Sequence, residues 1–334
     1  MASQLKLSQP SSALTPRSDR IVCLDECYCE IPEFSIPHTY TGYHSTAPEL
    51  IAERVEDATI IVTTRAPINA ATLAQCSSNL RLIAVMAAGY EIIDLAACRE
   101  RGVQVCNIPS ASAEAVAEHA IALYLAVKRR IVELHTVTKE GLEWPERKLT
   151  IHRFGYLPRT CRSETMGIVG YGTLGKRIES IAKALGMSVL IAERKSSTAS
   201  PRPGRVEFYN MLEKSSIVVL CCPLDNSTRG MIGVEELKHM DPEAVLVNVA
   251  RGGVVDEAAL VTALQEKWIQ GAATDVFAIE PANASSGPLL ADGIPNLTLS
   301  PHVAWYADSS IENLKRSIKT NIESFVQGTP VNIV

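Results

Sequence analysis

The sequence predicts an α/β protein with two Rossmann-like, doubly wound parallel sheets, and three observations carry this prediction. Short apolar segments of four to six residues alternate with helical patterns along most of the chain, as in parallel sheets covered by helices on both faces. The length of 334 residues favours two domains, at about 150 residues each. A glycine-rich turn separates a predicted strand from a predicted helix near residue 170, as in dinucleotide-binding units.

The composition excludes several classes of protein. Hydrophobic residues make up 46% of the chain and charged residues 21%, which is typical of a globular protein. The longest apolar run, Ala120–Val127, has eight residues and is too short to span a membrane. A net charge of −5 gives no basic surface for a nucleic acid. We therefore expect neither a nucleic acid nor a membrane as partner.

The cysteines and the first residues bear on location. Nine cysteines occur without a CxxC pair, which predicts reduced, buried thiols, no metal site and a cytoplasmic protein. Residues 1–19 are rich in Ser, Pro and Gln and lack the apolar core of a secretory signal, so we expect a disordered tail. Lys6 and Arg17 precede the first acid, Asp19, and a weak organelle presequence stays open as the alternative.

The first part of the chain predicts four strands and a long helix. The strands are Val- and Ile-rich segments followed by turn or cap residues: Arg20–Asp25, Ala58–Thr63, Leu82–Met86 and Val103–Asn107. The helix runs from Ser112 to about His135 and is apolar on nearly all sides of its middle, which indicates burial between domains or subunits. Lys128, Arg129 and Arg130 are interpreted as a solvated helix end that the helix dipole favours.

The second part alternates strands and helices after an irregular segment at Gly141–Thr165. Its predicted strands are Thr165–Val169, Ser188–Ala192, Ile217–Cys221, Val245–Val249, Gly271–Asp275 and Leu297–Ser300. Helices fit between them, for example at Val234–His239 and Glu257–Lys267, and a last helix is predicted at Ile311–Phe325.

The glycine-rich turn predicts a dinucleotide site. Three glycines stand in the spacing GxGxxG within Gly170, Tyr171, Gly172, Thr173, Leu174 and Gly175. The first glycine permits the tight turn, the second lets a diphosphate approach the backbone, and the third lets the helix pack on its strand. The N–H groups and the dipole at the helix start then hold the phosphates.

An acid at the end of the next strand bears on the choice of cofactor. Glu193 lies 23 residues after Gly170, close to the position where a carboxylate binds the adenosine ribose. Its charge would repel a 2′-phosphate, so we predict NAD as the preferred cofactor. Arg194 and Lys195 follow directly and hold such a phosphate if they turn inward, so NADP stays open.

Polar side chains follow three further strands. Arg251 comes after the strand that ends near Asn248, Glu280 follows Asp275, and His302 follows Ser300. Ligands of open α/β sheets bind at the carboxyl ends of the strands. We therefore predict that Arg251, Glu280 and His302 line one crevice beside the nicotinamide.

These segments resemble the D-isomer-specific 2-hydroxyacid dehydrogenase family over about residues 20 to 330. The resemblance rests on Asn-x-x-Arg-Gly-Gly at 248–253, Asp-Val-Phe-x-x-Glu-Pro at 275–281 and Pro-His-x-Ala-Trp at 301–305. Trp305 and the segment from Ala192 to Lys195 are most similar to the glycerate dehydrogenase and hydroxypyruvate reductase branch.

The resemblance implies reduction of a small 2-keto acid, hydroxypyruvate or glyoxylate, to the D-hydroxy acid by a homodimer. Arg251 suits the carboxylate or carbonyl of the substrate, and His302 suits proton transfer while Glu280 orients it. Further residues complete the predicted sites. For substrate these are Ala88, Gly89, Arg251, His302 and Trp305; for cofactor, besides those above, Cys222, Pro223, Val249, Ala250, Arg251, Asp275 and His302.

The resemblance also implies a split substrate domain. Residues 20–110 and 305–334 would form a flavodoxin-like substrate-binding domain, and residues 111–304 the NAD(P)-binding Rossmann domain. Two alternatives stay open. One is a reductase of a bulkier 2-keto acid such as phenylpyruvate or a precursor of a specialised metabolite. The other is a dinucleotide-sensing scaffold like the corepressors that share this fold.

Overall fold

The chain divides into two compact units in a computed structural model, which describes residues 18–197, 199–283, 285 and 287–334. The first unit comprises the chain up to Ala111 together with Ile311–Val334, and the second comprises Ser112–Ser310. The first unit is thus discontinuous in sequence. Residues 1–17 of the predicted disordered tail lie outside the described residues. The predicted end of the tail at residue 19 is wrong, because the buried Asp19 begins the first strand.

The first unit contains a five-stranded parallel sheet. Its strands are β1 (Asp19–Cys23), β2 (His38–Gly42), β3 (Ile60–Thr63), β4 (Leu82–Val85) and β5 (Gln104–Cys106), in the order β2-β1-β3-β4-β5. Strands β3 and β4 are buried along their whole length, which explains why their continuous apolar runs predicted them. The sequence did not predict β2, because this edge strand is half-buried to exposed and has no apolar alternation.

Three short helices pack in the first unit: α1 (Ile51–Val55), α2 (Ala70–Gln75) and α3 (Leu95–Glu100). The side chains of Asn69 and Asp94 accept N–H groups in the first turns of α2 and α3, which satisfies donors that a helix start leaves open. Leu73 of α2 packs with Val22, Ile61 and Ile83 in the buried core.

The second unit contains a six-stranded parallel sheet. It begins with helices α4 (Ala113–Lys128), α5 (Ile131–Glu140) and α6 (Glu143–Arg147). The sheet has the order β11-β10-β9-β8-β6-β7, and its strands are β6 (Thr165–Val169), β7 (Ser188–Ile191), β8 (Ile217–Leu220), β9 (Val245–Asn248), β10 (Gly271–Thr274) and β11 (Leu297–Leu299). Its other helices are α7 (Thr173–Ala184), α8 (Phe208–Lys214), α9 (Val234–His239) and α10 (Glu257–Gln265), and the chain continues into α11 (Asp308–Val326).

The predicted helix to His135 is wrong in its length, and the predicted solvated helix end is wrong for Lys128, whereas Arg129 is exposed as predicted. Helix α4 ends at Lys128, because Arg130 adopts a left-handed backbone with φ of 49° and a new helix starts after it. Lys128 is only 1% exposed, and its Nζ lies 2.9 Å from Oε1 of the buried Glu164. The partner acid stands 36 residues further along the chain, so helical periodicity alone does not reveal this burial.

The predicted fold class of two parallel-sheet α/β units is confirmed. None of the helices in the described part of the chain combines the length and apolarity needed to cross a membrane. The two sheets share one strand order, since β2-β1-β3-β4-β5 matches β7-β6-β8-β9-β10 strand for strand.

Candidate active site

The turn after β6 makes two contacts that only glycine permits. Gly170 has φ of +100°, and a Cβ on it would lie 2.6 Å from the backbone nitrogen of Cys222. A Cβ on Gly175 would lie 2.2 Å from the carbonyl oxygen of Gly170. The turn therefore packs directly against the loop that follows β8 and against its own helix, as predicted for these two glycines.

The start of α7 fits a dinucleotide diphosphate. A Cβ on Gly172 would meet no heavy atom within 4 Å, so there is space in front of this backbone. Gly172 is the N-cap and provides no side-chain acceptor; the exposed Thr173 follows it. The first N–H groups of the 12-residue helix α7 are thus suited to hold phosphate oxygens. Tyr171 directs its hydroxyl to Glu179, outside this turn.

Glu193 follows β7 and is held by an arginine that the sequence analysis did not single out. The carboxylate accepts hydrogen bonds from Arg202 Nε at 2.8 Å and Arg202 Nη2 at 2.5 Å. It also accepts the backbone N–H groups of Arg194 at 2.8 Å and Arg202 at 3.1 Å. The Arg202 guanidinium, with these N–H groups, holds the pKa of Glu193 well below its usual range. The carboxylate of Glu193 is therefore ionised. The residue is only 6% exposed.

The two basic residues after Glu193 behave differently. Lys195 places its Nζ 2.6 Å from a carboxylate oxygen of Glu236 and 3.0 Å from the carbonyl oxygen of Met231. Its charge is thus balanced by a buried acid. Arg194 is exposed.

The other predicted cofactor residues lie at the ends of β8 and β9. Cys222 is buried and is followed by the exposed Pro223, and burial raises the pKa of the Cys222 thiol to about 11. The thiol is therefore protonated at neutral pH and contributes no charge. Val249 and Ala250 are buried directly after β9.

The Arg251 loop is built by an asparagine and a glycine. Asn248 accepts the N–H of Ala250 at 3.0 Å and donates its Nδ2 to the carbonyl oxygen of Arg251 at 3.1 Å. Arg251 Nη1 donates to the carbonyl oxygen of Ala250 at 2.8 Å. A Cβ on Gly252 would lie 1.9 Å from the carbonyl carbon of Phe277. The loop after β9 therefore packs against the loop after β10, where Glu280 stands.

Asp275 is the acid that organises the loop after β11. Its carboxylate accepts the N–H groups of Val303 at 3.0 Å and Ala304 at 2.9 Å, and the hydroxyl of Ser300 at 2.6 Å. His119 Nε2 lies 2.9 Å from the same hydroxyl. Asp275 is 1% exposed; its contact with the cofactor stays a prediction.

His302 and Glu280 form the pair that the sequence predicts. His302 Nδ1 lies 2.6 Å from Glu280 Oε2, and the other oxygen of Glu280 accepts the N–H of Phe277 at 3.0 Å. An ionised carboxylate only accepts hydrogen bonds, so Nδ1 is the donor in this contact. His302 adopts φ of 55°, and its N–H donates to the carbonyl oxygen of Asp275 at 2.7 Å. Backbone and ring are thus both fixed.

The predicted substrate residues lie in both units. Trp305 donates its Nε1 to the carbonyl oxygen of His302 at 3.1 Å in the second unit. Ala88 and Gly89 follow β4 in the first unit, where the carbonyl oxygen of Ala88 accepts Nδ2 of Asn107 at 2.7 Å. Contact of these residues with substrate stays a prediction.

Three supporting residues escaped the sequence analysis: Asn248 as a loop anchor, Ser300 as the link between His119 and Asp275, and Arg202. Asn248 and Ser300 carried a detectable signal, because Asn and Ser at strand ends form such local bonds. Arg202 stands in the Pro- and Gly-containing segment 201–204, and no spacing rule links it to Glu193.

A glycine turn before a helix, together with a carboxylate–imidazole pair and an arginine at the ends of three adjacent strands, defines the site of a dinucleotide-dependent dehydrogenase. A sequence model of the NAD-binding domain of D-isomer specific 2-hydroxyacid dehydrogenases matches residues 121–304. Glycerate dehydrogenase of Methylorubrum extorquens is 40% identical over 306 residues, which cover 91% of this chain and 94% of that enzyme. Glyoxylate reductase of Thermococcus litoralis is 34% identical over 289 residues, which cover 85% of this chain and 86% of that enzyme.

A solved structure adds a similar result. The acyclic imino acid reductase Bsp5, in complex with NADPH and D-Arg, has a TM-score of 0.79 at 26% identity, with 94% of this chain and 99% of that chain covered. The chain belongs to the D-isomer specific 2-hydroxyacid dehydrogenase family. It is an oxidoreductase that acts on 2-hydroxy acids with a nicotinamide cofactor, and the resemblance predicted from the sequence is confirmed.

Proposed function

We propose that this enzyme reduces hydroxypyruvate or glyoxylate to the D-hydroxy acid, with NADH as the preferred reductant. The observation that carries the proposal is the 2.6 Å contact between His302 Nδ1 and Glu280 Oε2, on loops next to that of Arg251. Similarity to a glycerate dehydrogenase and a glyoxylate reductase supports small substrates, because hydroxypyruvate is the keto acid that corresponds to glycerate.

His302 is proposed as the proton donor to the substrate carbonyl oxygen. Glu280 holds Nδ1 as a donor, so Nε2 carries the proton that is transferred, and the carboxylate stabilises the imidazolium before transfer. The bound reduced nicotinamide would supply the hydride to the carbonyl carbon. In the reverse direction the same nitrogen removes the hydroxyl proton.

Arg251 is proposed to bind the substrate carboxylate or its carbonyl oxygen. A guanidinium offers several N–H donors in one plane and suits a carboxylate in a way that an ammonium group does not. The bonds from Asn248 to the backbone at Ala250 and Arg251 fix the loop, so the side chain starts from a defined position.

The cofactor is proposed to lie along the glycine turn and Glu193, with Gly170, Gly172 and Gly175 at the diphosphate. The ionised carboxylate of Glu193 favours NADH because it adds negative charge where NADPH carries a further phosphate. The side chain of Arg202 binds the same carboxylate.

A homodimer in the cytoplasm is proposed as the working form. Large apolar side chains are exposed on one segment of the second unit: Leu142, Trp144, Leu149, Ile151 and Leu157. Exposed apolar residues in such number typically mark an interface. All nine cysteines are free thiols, which supports a reducing compartment. Light scattering of the purified protein, beside a Leu142→Asp variant, tests the dimer.

The test of the reaction is a panel of 2-keto acids followed by NADH absorbance. We expect the highest kcat/KM for hydroxypyruvate or glyoxylate. A higher kcat/KM for phenylpyruvate would instead identify a reductase of bulkier substrates. Absence of turnover with every keto acid, together with tight NADH binding, would identify a dinucleotide sensor.

A further inference from the structure

Arg202 is the unusual residue of the proposed cofactor site. It binds the carboxylate of Glu193, which would repel an adenosine 2′-phosphate if it were unpaired. Arg202 binds both oxygens of Glu193 through Nε and Nη2, and its own N–H adds a third bond. A bidentate pair of this kind is directional and stronger than a single charged contact. Glu193 is therefore committed to a partner within the chain.

The charges around Glu193 are predominantly positive. Arg205 donates its Nη1 to the carbonyl oxygen of Ala192 at 2.9 Å, directly before Glu193. Arg194 follows Glu193 and is exposed, and the side chain of Arg202 is 53% exposed although it is paired. The guanidinium groups of Arg202 and Arg205 thus bind Glu193 and the residue before it, while the ammonium of Lys195 is balanced by Glu236.

We infer that Arg202 makes this enzyme accept NADPH as well as NADH, because it neutralises Glu193 and presents its exposed guanidinium to an adenosine 2′-phosphate. The inference rests on the proposed placement of the cofactor adenosine beside Glu193. Arginine suits a phosphate because its planar N–H groups match two phosphate oxygens. Wild-type protein then binds NADPH with a dissociation constant within about tenfold of that for NADH, the effect of roughly one charge-assisted hydrogen bond.

Equilibrium binding tests this without reference to turnover. NADH and NADPH are titrated by nicotinamide fluorescence, and adenosine 2′,5′-bisphosphate serves as a competitor that carries only the phosphate in question. Arg202→Gln removes the guanidinium and exposes the charge of Glu193. We expect NADPH affinity to fall at least about tenfold and NADH affinity to change less than threefold.

Two further variants make the result specific. Glu193→Gln removes the negative charge but keeps Arg202, so NADPH binding relative to NADH should improve about threefold or more. It also keeps the test decisive should Arg202→Gln fail to fold. Arg159→Gln, whose guanidinium binds Glu243, removes an equal charge from the same unit and should leave the ratio unchanged.

The contrary outcomes are equally definite. A wild-type protein that binds NADPH more than about tenfold more weakly than NADH contradicts the inference alone. So does an unchanged ratio in Arg202→Gln or in Glu193→Gln. A protein that binds neither dinucleotide contradicts the proposed function and this inference together.

Discussion

The same position in the two sheets is used in opposite ways. Strand β1 of the first unit and β6 of the second occupy equivalent places in their sheets, each between an edge strand and the third strand of its unit. After β6 comes Gly170, whose backbone packs against the loop after β8. After β1 comes the buried Asp25.

Asp25 fills the first unit at the place where the second unit has its glycine turn. Its carboxylate accepts the N–H groups of Thr64 at 2.8 Å, Arg65 at 2.6 Å and Ala66 at 3.1 Å, in the loop after β3. These three N–H groups are therefore already bound by a side chain of the same unit. The chain between β1 and β2 also forms no helix, whereas the 12-residue helix α7 follows β6.

A shared strand order is therefore not sufficient to make a dinucleotide site. Both sheets have the topology, but only the second combines a glycine turn with the start of a long helix, and so offers unoccupied N–H groups to a diphosphate. Substitutions in the two units should therefore affect stability and cofactor binding differently.

The largest expected effect concerns an ion pair at the start of the first strand of each unit, where Glu164 directly precedes β6 and Asp19 begins β1. Replacing Lys128 by Met leaves the buried charge of Glu164 unpaired, and we expect a loss of about 3–5 kcal/mol in unfolding free energy. The counterpart pairs Arg81 with the buried Asp19 at 2.6 Å. Asp19 also accepts the hydroxyl of Thr59 at 2.8 Å and keeps this hydrogen bond in Arg81→Met, so we expect a smaller loss of about 1–2 kcal/mol. Urea denaturation measures both; equal losses would contradict the comparison.

The chemistry should depend on the second unit's own loops. His302→Gln removes the proposed proton donor, and we expect kcat/KM to fall at least about 100-fold, the usual size of acid–base effects, with NADH affinity changed by less than tenfold. The control is His239→Gln, because that exposed histidine contacts the carbonyl oxygen of Glu235 and the ring of Tyr209, neither of which belongs to the predicted sites. Near-normal turnover of His302→Gln would assign the proton to another group.

Two glycines of the turn should separate folding from binding. Gly172→Val places its side chain in space that is empty of protein atoms, so the melting temperature should stay unchanged while NADH affinity falls about tenfold or more. Gly170→Ala should lower the melting temperature instead, because its Cβ meets the backbone of Cys222. Tight NADH binding by Gly172→Val would place the diphosphate elsewhere.

The smallest effect is a pH dependence at Asp25. Burial raises the pKa of Asp25 above its ordinary value, so the folded state binds this proton more tightly than the unfolded state. The contribution of Asp25 to stability is then complete below its ordinary pKa of about 3.9 and decreases as the pH rises through the raised pKa. The unfolding free energy of wild type minus that of Asp25→Asn should therefore fall from pH 3 to pH 7. A rise of this difference would contradict the raised pKa of Asp25.

The sequence predicted the fold where burial is continuous and failed where partners are distant. Apolar runs located β3, β4, β8 and β9, which are buried throughout. The exposed edge strand β2 gave no pattern, and α8 (Phe208–Lys214) was not predicted. The sequence shows only that Lys128 is basic. Its burial depends on Glu164, which lies outside helix α4 and therefore outside the periodic pattern of that helix.

The site was predictable to the extent that its chemistry is local. Gly170, Gly175 and the His302–Glu280 pair follow from motifs whose spacing reflects backbone geometry. The contact of Arg202 with Glu193 was not predictable, because no spacing rule links two residues nine positions apart outside a helix. The consequence is chemical, since an acid that already binds an arginine repels a further phosphate less than an unpaired acid does.

The most direct measurement of the central claim follows one hydrogen atom. The protein is incubated with hydroxypyruvate and each of the two 4-deuterated epimers of NADH, and the glycerate formed is analysed by NMR and chiral chromatography. We expect D-glycerate with deuterium at C2 from one epimer, and none within the same period from His302→Gln. L-glycerate, no deuterium at C2, or equal transfer by the variant would contradict it.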